Sequence, residues 1–248
     1  MKLGVLNACT PAEEIEFDGS EFESFCHFFD LIDHDLNLIE YRITEGDFPH
    51  IDDCDAYLIT GSPKGVYDNE PWIAQLADFI HAVRAADTKL VGVCFGHQML
   101  AHTLGGHAEK SHKGWGIGLR EIEIAPNQSW MTPPLPSGNF HFCHQDQVIH
   151  LPPNAKRLAG NEFCPNGMFV ISDRILGLQA HPEITHNAMD RTIEWLEPYV
   201  DEAVLQEAAS TLEEGRADSV VMAQWVVNFL KSEQDRSRNH AEVALAKP

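Results

Sequence analysis

Short apolar runs punctuate the first hundred residues and are separated by segments whose apolar positions fall at helical spacing. Leu3 to Leu6, Leu38 to Ile43, Ala56 to Thr60 and Leu90 to Val93 have the length and β-branched content of buried strands. Between the first two, Phe22, Phe25, Phe28, Phe29 and Ile32 share one helical face, which predicts a helix over 22–32. Pro71 is well placed to open another, from Trp72 to about Ala86. Strands alternating with helices imply right-handed crossovers and a mainly parallel sheet, with ligands at the C-terminal strand ends. After Gly106 the texture changes. Gly118 to Ile124, Phe140 to His150 and Phe169 to Gln179 read as strands joined by Pro- and Asn-rich turns, extending the sheet in antiparallel fashion. From Asn187 onward the pattern is helical: Ala188 to Leu196, Glu202 to Leu212 and Ser219 to Lys231. The last is apolar enough to dock on the domain, and the polar tail beyond Ser232 is expected to fray.

Composition narrows the class without naming it. The 248 residues carry 17 basic and 38 acidic side chains, a formal charge of −21. Such a chain repels phosphate backbones, and no basic patch offsets this, so nucleic acid is not an expected partner. No stretch is long and apolar enough to cross a bilayer, and no secretory leader is legible, so no membrane role is expected. The six cysteines (9, 26, 54, 94, 143 and 164) include no C-x-x-C pair. Their dispersion suits a reducing cytoplasm rather than a disulfide framework or zinc ribbon.

Chemistry concentrates in two stretches. In Gly92-Val-Cys94-Phe-Gly96, a predicted strand hands over to a helix at a cysteine flanked two residues away by glycines. This is the thiol counterpart of a nucleophile elbow, a turn too tight for larger neighbours. It places Cys94 at a helix N-terminus, where dipole and free N–H groups favour thiolate. Taken alone, the context fits a buried structural cysteine equally well. Gly105-Gly106 closes the helix. The second stretch is Gln179-Ala-His181-Pro-Glu183, at the end of the apolar run Ile175 to Leu178. Residues two apart on an extended backbone face the same side, so Glu183 can fix the tautomer of His181. A histidine so held can activate a thiol. Alone, H-P-E reads more readily as an exposed turn; beside the cysteine elbow it reads as a catalytic pair.

Other features take plain readings. His97, His102, His107 and His112 recur every five residues, a 140° step on a helix, so they form no metal-binding face. His141 and His144 lack accompanying ligand spacing, and no metal or other cofactor is expected. Gly61-Ser-Pro-Lys-Gly65 is a loop but not a phosphate-binding one.

Together these motifs resemble the class I (triad) glutamine amidotransferases, in particular free-standing domains similar to that of GMP synthetases. The pattern G-x-C-x-G-x-Q, helix, G-G is met by Gly92, Cys94, Gly96, Gln98, Gly105 and Gly106. H-P-E is met by His181, Pro182 and Glu183, and the usual G-G-P turn appears as Gly61-Ser62-Pro63. His144-Gln-Asp146-Gln-Val148 resembles the family's H-x-D-x-V. The resemblance implies a flavodoxin-like three-layer α/β sandwich with a mainly parallel mixed sheet over residues 1–190, and a helical extension over 191–248 packed on the same domain. It implies a Cys94–His181–Glu183 triad and a γ-glutamyl thioester intermediate. It also implies an oxyanion site from backbone N–H groups of Gly61, Ser62 and Phe95, and a glutamine pocket lined by Gly96, Gln98, His144, Gln145 and Asp146. Ser62 departs from the usual glycine, which matters only if that position needs positive φ. Residues 184–248 show no nucleotide-binding loop, so three functions are compatible. They are a free-standing hydrolase of glutamine or a related γ-glutamyl compound, an ammonia-supplying subunit for a separate synthetase partner, and a catalytically silent binding protein. An exposed apolar stripe on the last helix would favour the second, and a pocket larger than ammonia needs would favour the first. The oligomeric state is not legible.

Overall fold

The computed structural model describes residues 1–16, 19–125 and 128–232; the polar tail lies outside them. Five strands, β1 (Lys2–Asn7), β2 (Asn37–Arg42), β3 (Ala56–Ile59), β4 (Lys89–Val93) and β11 (Ile175–Leu178), pair in parallel in the order β2-β1-β3-β4-β11. The sheet continues antiparallel through β10 (Met168–Ile171), β9 (Ala155–Gly160), β6 (Gly116–Ile124) and β7 (Ser137–His144).

Alternation along the parallel strands divides the core in two. Leu3 and Val5, Ala56 and Leu58, Val91 and Val93 face α2 (Glu21–Phe29) and α7 (Ser219–Lys231). Leu6, Tyr57, Ile59 and Leu90 face the opposite layer, α3 (Pro71–Ala85) and α4 (Phe95–Thr103). A strand buried on both faces needs no polar alternation, which is why these runs are continuously apolar. The result is a three-layer, flavodoxin-like sandwich with a mixed, mostly parallel sheet. A third cluster joins Ile117 and Leu119 of β6 to α5 (His186–Trp195) and α6 (Glu202–Glu214).

Several boundaries differ from the sequence reading for identifiable reasons. Ser20 caps α2, accepting from the Glu23 N–H, and the helix stops at Phe29 rather than Ile32. The segment 140–150 is two strands: β7 ends at His144, and β8 (Asp146–His150) pairs instead with β5 (His107–Lys110) in a separate two-stranded sheet. The segment 169–179 folds back as the β10–β11 hairpin, turning through positive φ at Ser172 and Asp173. Helix α4 ends as expected of the glycine pair: Gly105 takes φ +96°, and the Gly106 N–H returns to the Ala101 carbonyl at 2.8 Å. A short helix, α1 (Pro11–Glu16), precedes α2 and was not legible. Among the described residues no helix is long and apolar enough to cross a membrane.

Candidate active site

Cys94 is the single residue between β4 and α4, with φ +48° and ψ −101°. Neighbouring strands stitch the turn from both sides. The Cys94 N–H donates to the Leu178 carbonyl of β11 at 2.8 Å, and the Gly96 N–H donates to the Thr60 carbonyl after β3 at 3.2 Å. A Cβ on Gly92 would lie 2.5 Å from the Gly96 carbonyl group, and one on Gly96 would lie 2.5 Å from the Ile59 oxygen. Both glycines are therefore required by close approach, as the elbow pattern predicts.

His181 follows β11 and is anchored through its backbone, its N–H donating to the His141 carbonyl at 2.8 Å. Its Nδ1 donates to Glu183 Oε1 at 2.6 Å, and the Glu183 side chain is fully shielded from solvent. Burial alone would lower the His181 pKa. The neighbouring Cys94 and Glu183 override it and hold the imidazolium well above the usual histidine range. The structure thus brings Cys94, His181 and Glu183 together from the ends of the paired strands β4 and β11.

The Gly61-Ser62 turn leaves β3 beside them: a Cβ on Gly61 would sit 3.0 Å from His181 Cε1 and 3.8 Å from Cys94 Cβ. Ser62 is not among the residues with positive φ, so serine fits there without strain. Phe95 opens α4 with its ring buried against Trp72, centroids 5.4 Å apart.

The other predicted pocket residues form a separate group. Gln98 Nε2 donates to the Asp146 carbonyl at 2.9 Å and to Gln179 Oε1 at 3.2 Å. His144 Nδ1 donates to the same Asp146 carbonyl at 2.9 Å. Burial pushes the His144 pKa down to about 3, so the ring is neutral and holds backbone in place. The Gln145 carbonyl is taken by the Ser111 N–H. Gln145 and Asp146 are half-buried, and the exposed Tyr67 lies near the Asp146 carboxylate; beyond the effect of burial, Asp146 raises the Tyr67 pKa and Tyr67 lowers that of Asp146. Tyr67 was missed in the sequence, where nothing in the loop after Gly65 distinguishes it.

A cavity of about 550 Å³ opens onto Cys94 and His181. Its lining includes Cys9, Glu13 and Glu21, Trp115 and, from α5, Ala188 and Trp195. Gln98, His144, Gln145 and Asp146 do not line it. Among the other histidines, His97 is buried against Phe169, while the exposed rings of His102, His107 and His150 lie tilted in sequence, with His107 and His150 paired across β5 and β8. Among the described residues no three His, Cys, Asp or Glu side chains converge as metal ligands would.

Comparison with known proteins bears on the family and the fold. The model of the family "Glutamine amidotransferase class-I" matches residues 16–196. Gamma-glutamyl peptidase 3 of Arabidopsis thaliana is 31% identical over 204 residues, 77% of this chain and 81% of that protein. A putative glutamine amidotransferase-like protein of Schizosaccharomyces pombe is 29% identical over 189 residues, 74% of each. Among solved structures, a glutamine amidotransferase from Thermotoga maritima superposes with a TM-score of 0.73 over 94% of this chain and 99% of that one, at 18% identity. A glutamine amidotransferase from Methylobacillus flagellatus gives 0.68 over 95% and 97%, at 19% identity. These two show a shared fold. With an elbow cysteine, an H-P-E pair and a matching family model over most of its length, the chain belongs to the class I glutamine amidotransferase family.

Proposed function

We propose that the chain hydrolyses γ-glutamyl amides whose amine portion is larger than ammonia, such as γ-glutamyl peptides. The observation that carries this reading is the cavity of about 550 Å³ beside Cys94 and His181, far more than a departing ammonia needs. The gamma-glutamyl peptidase names of its plant relatives support the same substrate class.

In this reading the Cys94 thiolate attacks the γ-carbonyl carbon. The N–H groups of Phe95 and of the Gly61-Ser62 turn receive the developing oxyanion, each such donor contributing about 3 kcal/mol in the transition state. His181, oriented by Glu183, gives its proton to the leaving amine and then takes one from the water that cleaves the γ-glutamyl thioester. The glutamyl α-substituents lie toward Gly96, Gln98 and the His144–Asp146 segment, and the amine portion occupies the cavity. An exposed apolar stripe on α7 would favour the ammonia-supplying alternative. That face is instead spent on the core: Met222, Trp225, Val226, Phe229 and Leu230 are all buried.

The test is release of glutamate and amine from purified protein given glutamine beside a panel of γ-glutamyl peptides, with Cys94→Ala as control. Cys94-dependent turnover of a peptide well above that of glutamine is expected. Turnover of glutamine alone, at a slow rate, would replace this reading with the ammonia-supplying one.

A further inference from the structure

Two buried carboxylate oxygens near the triad have no protein partner. Glu183 Oε1 is taken by His181, but Glu183 Oε2 is shut off from solvent and unpaired, and so is Glu21 Oε2. Glu21 is the first residue of α2 and lines the same cavity as Cys94 and His181. Its position is fixed from behind. The Glu21 N–H donates to Glu14 Oε1 at 3.2 Å, and Glu14 is itself held by Asn7 Nδ2 at 2.8 Å and Arg42 Nη1 at 2.9 Å. This tether holds the Glu21 backbone at the start of α2, and its side chain lines the cavity with one carboxylate oxygen shielded from solvent.

We infer that Glu21 is a positioning residue for the His181–Glu183 pair, acting as a neutral acid that donates toward the free Glu183 oxygen by way of one water. The inference rests on the triad assignment above. Two unpaired buried acceptors near one another are costly, whereas a protonated carboxyl beside a carboxylate satisfies both. Protonation suits the surroundings: burial first, then the Glu183 and Glu14 charges, push the Glu21 pKa up to about 8, with His181 pulling the other way. Further groups lining the cavity are Cys9, whose thiol is driven up by burial and by Glu21, Glu13 and Glu14, and Glu13 itself, 3.9 Å from Lys64. Arg42 pairs with Glu14, which accepts from the Glu21 N–H, and Arg191 of α5 also lines the cavity.

The consequence is a defined role for charge. With Glu21 neutral, no further anion is added to the groups that already support the imidazolium, and His181 remains acid enough to protonate a leaving amine. Ionising Glu21 adds a second anion, strengthens the imidazolium and weakens it as an acid.

Glu21→Gln keeps a donor and removes the titration; Glu21→Leu removes both. With a substrate that is turned over, Glu21→Gln is expected to keep kcat within about threefold at pH 7 and to lose a decline near pH 8 that the wild type shows. Glu21→Leu is expected to lose about tenfold in kcat with KM unchanged. Iodoacetamide alkylation of Cys94, with Cys94→Ala as blank, reads the same coupling without any substrate, so a wrong substrate assignment does not mask the answer. The wild-type alkylation profile should show an inflection near pH 8 that Glu21→Gln lacks, with thermal melts confirming that each variant is folded. Identical alkylation profiles for wild type and Glu21→Gln would overturn the inference. So would a Glu21→Leu variant whose loss lies wholly in KM, which would make Glu21 a substrate contact.

Discussion

Replacing Cys94 should reverse the ordinary order of alanine and glycine. At φ +48° and ψ −101° its backbone lies close to the strained three-residue turn that residues with a Cβ rarely adopt. Holding such a residue costs about 1–3 kcal/mol. Glycine escapes that cost, but loses about 0.5–1 kcal/mol more chain entropy on folding than alanine does. The difference leaves Cys94→Gly more stable than Cys94→Ala by about 1 kcal/mol, where an unstrained site would favour alanine. Side-chain loss is the same for both to within one methyl, so packing does not blur the comparison. For a chain of this size that difference corresponds to about 2–4 °C in Tm. Scanning calorimetry on the two variants, backed by urea titration, reads it directly. Equal melting, or an alanine variant that melts higher, would refute the claim that the elbow stores strain.

Gly61→Ala puts a Cβ 3.0 Å from His181 Cε1, and a shift of that ring by a fraction of an ångström should lower kcat about 10²-fold while the melting temperature moves little. Gln98→Ala leaves the Gln179 side-chain oxygen without its donor and frees the Asp146 carbonyl from one of two. It should cost about 1–3 kcal/mol in urea unfolding and raise KM for the γ-glutamyl substrate. Ala188→Phe projects a ring from α5 into the cavity. Turnover of glutamine should survive, and kcat/KM for γ-glutamyl peptides should fall about 10–200-fold, so an unchanged preference would remove the cavity from the argument. Lys89, buried at the start of β4 and bonded to the Phe229 carbonyl and Ser232 Oγ, has its pKa lowered by burial from 10.5 to about 8. The unfolded chain therefore binds the extra proton between those values, stability should rise as pH goes from about 8 to about 10.5, and Lys89→Met should flatten that rise in pH-dependent unfolding.

What the sequence made legible follows from which signals are local. β1, β3 and β4 are continuous apolar runs because both faces are buried, and the elbow glycines announce a steric need within five residues. By contrast, α1 reads Pro-Ala-Glu-Glu-Ile-Glu, six residues with too little apolar content to register a face. β5 buries only Ala108 of four residues, so its existence depends on β8 rather than on its own pattern. The break at Gln145 was hidden inside one strand-like segment, since either side of it looks like strand. Glu21 carried no mark either. It sits in the first turn of a helix, where a glutamate is ordinarily a solvated dipole partner, and only the packing of α2 against β1 brings it near His181. The site's backbone was readable, while its surroundings were set by long-range contact.

That division has a physical basis in the sheet. The groups assembled at the site leave three adjacent parallel strands at their C-terminal ends: Gly61 and Ser62 after β3, Cys94 after β4, His181 and Glu183 after β11. Their relative positions are fixed by ladder register, with Ile59 opposite Gly92 and Val93 opposite Leu178. Slipping any of these strands by one residue would turn its core-facing set to the other layer, so the register is held by the two apolar cores together. The cavity walls answer to different constraints. Glu13 and Glu21 come from the region joining β1 to α2, and Ala188 and Trp195 from a helix packed on the antiparallel extension. Both walls lie outside the parallel ladders that set the elbow, so residues there can change size or charge without disturbing the strand register. On the proposed reading, such a fold can alter which amine portion it accepts through these walls while the strand register that sets Cys94 and His181 stays fixed.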